Sequence, residues 1–118
     1  MEDLEEMGRK SIIKTIRSYA VILLLHLIKQ QAEKRTTRSW NVSINNSVRE
    51  INRTNKRRKS GGYYANQEEL KETIDEAFEA AIERASLEAF EGRYSSEELK
   101  QMLKIEEVKK AALNLIDY

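Results

Sequence analysis

The fold is decided by residues 19–28, which read YAVILLLHLI and form the longest apolar run in the chain. This run of ten residues is too short to cross a bilayer, which takes roughly 20, so we interpret it as buried core and expect no membrane partner. Ile12 and Ile16 extend one apolar stripe toward the N-terminus at helical spacing, and Lys14 lies on the opposite side. Toward the end of the run apolar side chains occupy nearly every side, which indicates a central helix over 11–32 with partners all around it.

Further helices are indicated by their capping residues and breaks. Gly8 is expected to separate the central helix from a shorter one at the N-terminus. The second long helix begins near Thr37 or Ser39, either of which is a good N-cap. The third opens with Asn66 and Glu69, the pattern of a capping box.

The remaining sequence completes an all-α prediction. Two adjacent glycines mark the one long loop, over residues 60–65. The C-terminal stretch over 96–117 shows a slip in its apolar phase and is expected to bend near Lys104. The chain has no proline, and the frequent Glu, Lys, Arg, Ala and Leu favour helices over strands. We therefore predict a single domain over 1–118, a bundle of four to five helices around a central apolar helix.

Composition excludes several classes of protein. Hydrophobic residues make up 40% and charged residues 35% of the chain, which is too apolar for a disordered tail and too charged for a membrane protein. The absence of cysteine removes disulfides, cysteine-based zinc sites and thiol catalysis. The acidic segment over residues 2–6 lacks the positive charge of a secretory leader, so we expect a cytoplasmic protein.

The residues that enzymes and metal centres need are scarce. His26 is the only histidine, and Leu23 stands three positions before it, where a di-metal bundle would carry a glutamate. The four glycines do not form a phosphate-binding loop, and no serine lies in a nucleophile-elbow pattern. We therefore expect no enzymatic activity, no cofactor, no metal and no small-molecule substrate.

Charge is divided unevenly along the chain. Residues 1–60 carry 14 Lys/Arg and 6 Asp/Glu, a net +8, whereas residues 61–118 carry 7 and 14, a net −7. Helical spacing places the cations of the second helix and the acids of the third on faces that point away from the apolar stripes. Within one monomer both faces are therefore expected to be exposed to water.

The basic residues of the second helix, and of the run that ends it, are the candidate binding residues for phosphate or an acidic partner. They are Arg38, Arg49, Arg53, Lys56, Arg57, Arg58 and Lys59. Three interpretations remain open: a solvated surface, a homo-oligomer in which this face meets the acidic face of another subunit, or nucleic-acid binding aided by Tyr63 and Tyr64. No known DNA-reading motif is present, so nucleic-acid binding would be independent of base sequence.

Three motifs stand in an informative order: LEEMGR at 4–9, VILLLHLIK at 21–29, and RSW at 38–40 followed by REI at 49–51. Together they resemble the domain-of-unknown-function family 29, small helical bacterial-type proteins. The resemblance covers residues 2–85, and the Lys/Glu-rich stretch after it departs from the proline-containing tail of the family. It implies a helical fold and leaves the activity open.

The resemblance also implies importance for His26, Arg38 and Trp40, which we interpret as core or cap positions rather than a site. Members of the family usually carry another helix upstream of the acidic segment, so we expect apolar surface that a homodimer would cover. These patterns predict a non-enzymatic cytoplasmic interaction protein that self-associates. The alternative is a sequence-nonspecific RNA- or DNA-binding module that uses the basic second helix.

Overall fold

Five helices make up the described part of the chain. The computed structural model describes the backbone of residues 2–57, 59 and 61–118, and the side chains of these ranges from residue 8 onward. The helices are α1 (Glu2–Glu33), α2 (Arg38–Asn55), α3 (Gln67–Glu88), α4 (Ser96–Gln101) and α5 (Ile105–Leu115), with a short turn, Ala89–Gly92, after α3. No strand occurs among the described residues. This confirms the predicted all-α bundle of four to five helices.

The central helix is α1, against which α2, α3 and α5 all pack. Its side chains Leu23, Leu24 and Ile28 are fully buried. By length and composition alone, Gly8–Glu33 is apolar enough to cross a membrane, and the core helix of a soluble bundle has the same signature. The expected break at Gly8 is wrong, because α1 continues through it. One glycine inside a helix costs only about 1 kcal/mol relative to alanine, and the long helix tolerates it.

Side-chain caps fix where α2 and α3 begin. Thr37 caps α2 by accepting a hydrogen bond from the backbone N–H of Trp40 at 3.1 Å. Asn66 and Glu69 form the expected capping box at the start of α3, in which the Glu69 N–H donates to the Asn66 side chain at 2.9 Å. Such bonds satisfy backbone donors that a helix start otherwise leaves unpaired. They are local, which explains why the sequence alone indicates them.

Ion pairs join α3 to α1 in a parallel register. The pairs are Arg9 with Glu69, Arg17 with Glu76 at 3.2 Å, and Lys29 with Glu88 at 3.0 Å. The partners stand 59 or 60 positions apart in the sequence. The constant offset shows that the two helices run side by side in the same direction.

Lysines from α4 and α5 pair with α3 as well. Lys100 lies 3.2 Å from Glu79, and Lys109 lies 3.2 Å from Asp75. The hydrogen bond that Lys100 donates to Glu79 raises the pKa of the Lys100 ammonium. The acidic face of α3 is exposed, as expected, yet part of its charge is neutralised within the chain by cations outside α2.

The chain changes direction where α3 ends. Phe90 and Glu91 adopt left-handed backbone angles, with φ of 51° and 57°, which a right-handed helix cannot contain. Gly92 follows with φ 76°. Beyond this turn, α4 and α5 are separated by residues 102–104, where the apolar pattern slips.

Candidate nucleic-acid interface

The outer face of α2 carries part of the candidate basic surface. The opposite side of the helix buries Trp40, Ile44, Ser47, Ile51 and Asn55. Arg38, Arg49 and Arg53 are exposed. Arg49 and Arg53 lie about one helical turn apart, whereas Arg38 lies roughly 16 Å from Arg49 along the axis, at 1.5 Å per residue. The fold therefore brings Arg49 and Arg53 together and leaves Arg38 at the other end of α2.

A short hairpin follows α2, where the sequence indicates only a loop over 60–65. Lys56 and Tyr63 form an antiparallel bridge, and the Arg57 N–H donates to the Gly62 carbonyl at 3.0 Å. Gly61 and Gly62 both have positive φ, 70° and 72°, which glycine adopts without the steric cost that other residues incur. The reversal of the chain therefore depends on these two glycines.

The hairpin presents cations beside aromatic rings. Its described basic side chains, all exposed, are Lys56, Arg57 and Lys59, while Arg58 lies outside the described residues. Tyr63 is 40% exposed. The Arg57 guanidinium lies 5.7 Å from the centre of the Tyr64 ring, within the range of a cation–π contact.

Hydrogen bonds fix the base of the hairpin. The fully buried Asn55 side chain accepts from the Ala65 N–H at 2.8 Å and donates to the Ala65 carbonyl at 3.3 Å. The Tyr64 N–H donates to the Asn55 carbonyl at 2.9 Å. Arg9 of α1 donates to the Tyr64 carbonyl and pairs with Glu69 of α3. Three helices therefore hold the ends of the hairpin in place.

The basic cluster, which we define as Arg49, Arg53, Lys56, Arg57 and Lys59, is largely unneutralised. Among the residues that the structure describes, only Arg53 of this cluster has an ion-pair partner, Glu50 at 2.9 Å. The acidic residues of α3 that are paired take their cations from α1, α4 and α5. Within the described residues, the chain therefore presents net positive charge at the end of α2 and along the hairpin.

His26 lies on α1 and is half-buried. Its Nδ1 is 2.9 Å from the Ile22 carbonyl oxygen, and because a carbonyl only accepts, Nδ1 carries the proton in this bond. No group of three or more His, Cys, Asp or Glu side chains within the described part of the chain is placed to hold a metal ion. The arrangement is that of a histidine satisfied within its own helix.

Trp40 starts the buried side of α2 and is 8% exposed. The Lys29 ammonium and the Arg35 guanidinium each lie 4.7 Å from the centre of its ring. The motif at 38–40 draws attention to Trp40, but sequence reasoning misses Lys29 and Arg35. No helical spacing relates them to Trp40, because the connection between α1 and α2 lies between.

Fold and surface together describe a small all-α bundle that presents a basic cluster at the end of one helix. The chain matches the family model Domain of unknown function DUF29 over residues 1–111 and belongs to that family. The match extends past residue 85, where the motif resemblance ends, so it includes most of the Lys/Glu-rich C-terminal stretch. No curated protein and no solved structure matches the chain.

Proposed function

We propose that this chain is a non-enzymatic cytoplasmic interaction protein that binds nucleic acid through its basic cluster. The observation that supports this function is the concentration of cations on the last two turns of α2 and on the anchored hairpin, with one ion pair to Glu50 among the described residues. A self-neutralised surface would have little attraction for phosphate. Among the described residues, most cations of this surface have no ion-pair partner.

Phosphate binding by such a cluster follows from counterion release. Each phosphate neutralised by Lys or Arg releases condensed cations, and log affinity falls with log salt by about 0.7 to 0.9 per contact. About four engaged cations of the cluster give a slope near −3 to −4. Contacts to phosphate carry no base information, so the affinity should depend little on sequence.

The hairpin adds a second means of contact. The exposed Tyr63 is held beside Lys56 by the antiparallel bridge, and an aromatic ring in a basic surface stacks on unpaired bases of any sequence. Because Asn55 and Arg9 fix the hairpin base, this ring is presented without a large ordering cost.

The test is a salt titration of binding to labelled single- and double-stranded oligonucleotides, measured by fluorescence anisotropy. We expect the double variant Arg53→Glu with Arg57→Glu to weaken binding at least tenfold and to flatten the salt slope. Both side chains are exposed, so the circular dichroism spectrum should stay unchanged.

The matched control changes net charge equally at a distance from the cluster, with Arg84→Glu on α3 and Lys110→Glu on α5, both exposed. The control should bind nearly as the unmodified chain does. Equal weakening by the two double variants would mean that net charge alone is responsible. Absence of binding at low salt would refute the function.

Self-association is a second candidate, because several large apolar side chains are exposed. They are Val42, Tyr63, Leu87, Met102, Leu115 and Tyr118, with Leu87 the most exposed at 77%. Isolated apolar residues on a surface are common, so their number alone does not establish an interface. Sedimentation equilibrium at micromolar concentration tests this candidate: a homodimer has twice the 13.8 kDa chain mass, and a monomer at every concentration would exclude it.

A further inference from the structure

We infer that a cavity at the far end of the bundle from the hairpin is a binding site for a small organic anion. The cavity has a volume of about 450 Å³, and its lining includes Lys29, Trp40, Phe90 and Arg93. This volume is within the range of ligand pockets, roughly 300 to 1,000 Å³. The inference is independent of the nucleic-acid function, because none of these residues belongs to the basic cluster.

Lys29 is the buried cation of this cavity. Its side chain is 10% exposed, and its ammonium lies 3.0 Å from a Glu88 carboxylate oxygen and 4.7 Å from the centre of the Trp40 ring. An ammonium has three N–H donors, and within the described part of the chain Glu88 is the one hydrogen-bond acceptor for them. Lys29 lines the cavity, so its remaining donors are available to an anionic oxygen there.

Arg93 supplies a second cation at the cavity. It is exposed and has no ion-pair partner among the described residues. The planar guanidinium presents paired donors that match a carboxylate or phosphate. Arg93, together with the N–H donors of Lys29 that are not bound to Glu88, therefore favours a ligand with one carboxylate or phosphate group.

The cavity lining also contains three carboxylates, whose negative charge would repel an anionic ligand: Glu33, Glu88 and Glu91. Glu33 lies 3.1 Å from Arg35 and Glu88 pairs with Lys29, so the charges within each of these two pairs largely cancel. Glu91 is exposed and has no such partner within the described ranges. Its charge opposes an anionic ligand, and removing that charge is expected to strengthen binding.

The backbone around the cavity holds an uncommon conformation before any ligand arrives. Lys34, which joins the lining residues Glu33 and Arg35, has φ 54°, and the lining residues Phe90 and Glu91 have φ 51° and 57°. Each non-glycine residue in this region costs on the order of 1 kcal/mol or more, and such costs concentrate at ligand sites and other functional positions. Two separate strained segments border this one cavity.

Aromatic side chains provide the apolar part of the site. Trp40 and Phe90 line the cavity, and Phe90 is held edge-to-face against Tyr94 with 5.3 Å between ring centres. The ligand class is therefore a carboxylate or phosphate monoester that carries a small apolar group. The apolar group packs on the Phe90 ring, and the anionic oxygens meet Lys29 and Arg93.

Trp40 reports on this site directly, because it is the only tryptophan in the chain. The experiment titrates phenyl phosphate and benzoate, at millimolar concentrations, against Trp40 fluorescence. Benzyl alcohol is the neutral probe and benzylamine the cationic one. We expect a saturable change with one or both anions and little change with the other two probes. The stronger anion identifies whether the site prefers phosphate or carboxylate.

Substitutions at two exposed residues of the cavity are expected to change the affinity for the anion in opposite directions. Arg93→Gln should weaken binding of the anion about tenfold, the effect of one lost charge-assisted hydrogen bond. Glu91→Gln should strengthen it by roughly threefold, because it removes an opposing charge near the ligand. Arg84→Gln on α3, outside the cavity lining, is the matched control and should leave the affinity unchanged.

Lys29→Met tests the buried cation while keeping a side chain of similar length. It should abolish the response to the anion in a chain whose far-UV circular dichroism remains helical. Because this buried substitution affects folding as well, the Arg93 and Glu91 variants decide the matter. The inference fails if no anion gives a saturable response, if benzyl alcohol or benzylamine binds as well as the anions, or if Arg93→Gln behaves like Arg84→Gln.

Discussion

Leu24 lies in the middle of α1, with its side chain fully buried. Cutting such a leucine to alanine costs about 2–5 kcal/mol, a large part of a total stability of about 5–15 kcal/mol. We expect Leu24→Ala to lower the midpoint of urea unfolding markedly. Leu87 is 77% exposed, and Leu87→Ala should change the free energy of unfolding by less than about 0.5 kcal/mol. Equal effects of the two changes would contradict the central role of α1.

At the scale of single residues, the sequence reveals the buried leucines but not the buried lysine. Leu23 and Leu24 belong to an apolar run, and the pattern alone assigns them to the core. Lys29 ends the same run and therefore looks like its polar boundary. Its burial depends on Glu88, which stands 59 positions away, and on the ring of Trp40. No local pattern connects the three, so the cavity could not be predicted.

At the scale of elements, Asn55 connects the end of α2 to the hairpin. Asn55→Ala removes two hydrogen bonds to the backbone of Ala65, and a buried group left without a partner costs about 1–3 kcal/mol. We expect the hairpin to open more often. Limited trypsin digestion followed by mass spectrometry should then show faster cleavage after Lys56, Arg57 and Lys59.

The control for this change is Asn45→Ala, at an exposed position of α2. Its cleavage pattern should match that of the unmodified chain. Faster cleavage throughout the Asn55→Ala variant would indicate global destabilisation, and unchanged cleavage at the hairpin would show that Asn55 does not anchor it.

Helix starts were predictable where their stabilising bonds are local. The capping box of Asn66 and Glu69 joins residues three positions apart, so the pattern and the structure coincide. The hairpin depends on a hydrogen bond between Asn55 and Ala65, which are ten positions apart. The sequence between them is polar and basic and has no pattern that predicts this bond. Gly8 is the opposite case: glycine is typical of helix breaks, yet α1 continues through Gly8 without ending.

At the scale of the whole molecule, α1 shares its surface with α2, α3 and α5. Losing α1 would remove packing from all three, so we expect one cooperative unfolding transition. Far-UV circular dichroism and Trp40 fluorescence should then give coincident urea curves. Since Trp40 is 8% exposed, its native emission should be blue-shifted. An earlier fluorescence change would show that α2 separates from α1 first.

The division of charge along the chain was visible in the sequence, but its pairing was not. Counting charged residues shows a basic half and an acidic half of the chain. Helical spacing then predicts which face of each helix carries the charged side chains. Which cation meets which carboxylate depends on the parallel arrangement of α1 and α3, as in the pair of Arg17 and Glu76 at 3.2 Å. The assembled fold shows that carboxylates of α3 pair with cations of α1, α4 and α5. It also shows that, among the described residues, Arg53 is the one member of the basic cluster with an ion-pair partner.

The parallel arrangement of α1 and α3 has a consequence for the order of folding. Residues 34–37 alone join α1 to α2, and closing so short a loop has a small entropic cost. The pairs between α1 and α3 span 59 or 60 positions, and such long-range contacts slow folding. We expect stopped-flow kinetics to show that Ile44→Val in α2 mainly slows folding, while Ile82→Val in α3 mainly speeds unfolding. Until α3 docks, the apolar stripe of α1 is uncovered, so aggregation should compete with folding most strongly while the chain is still emerging from the ribosome.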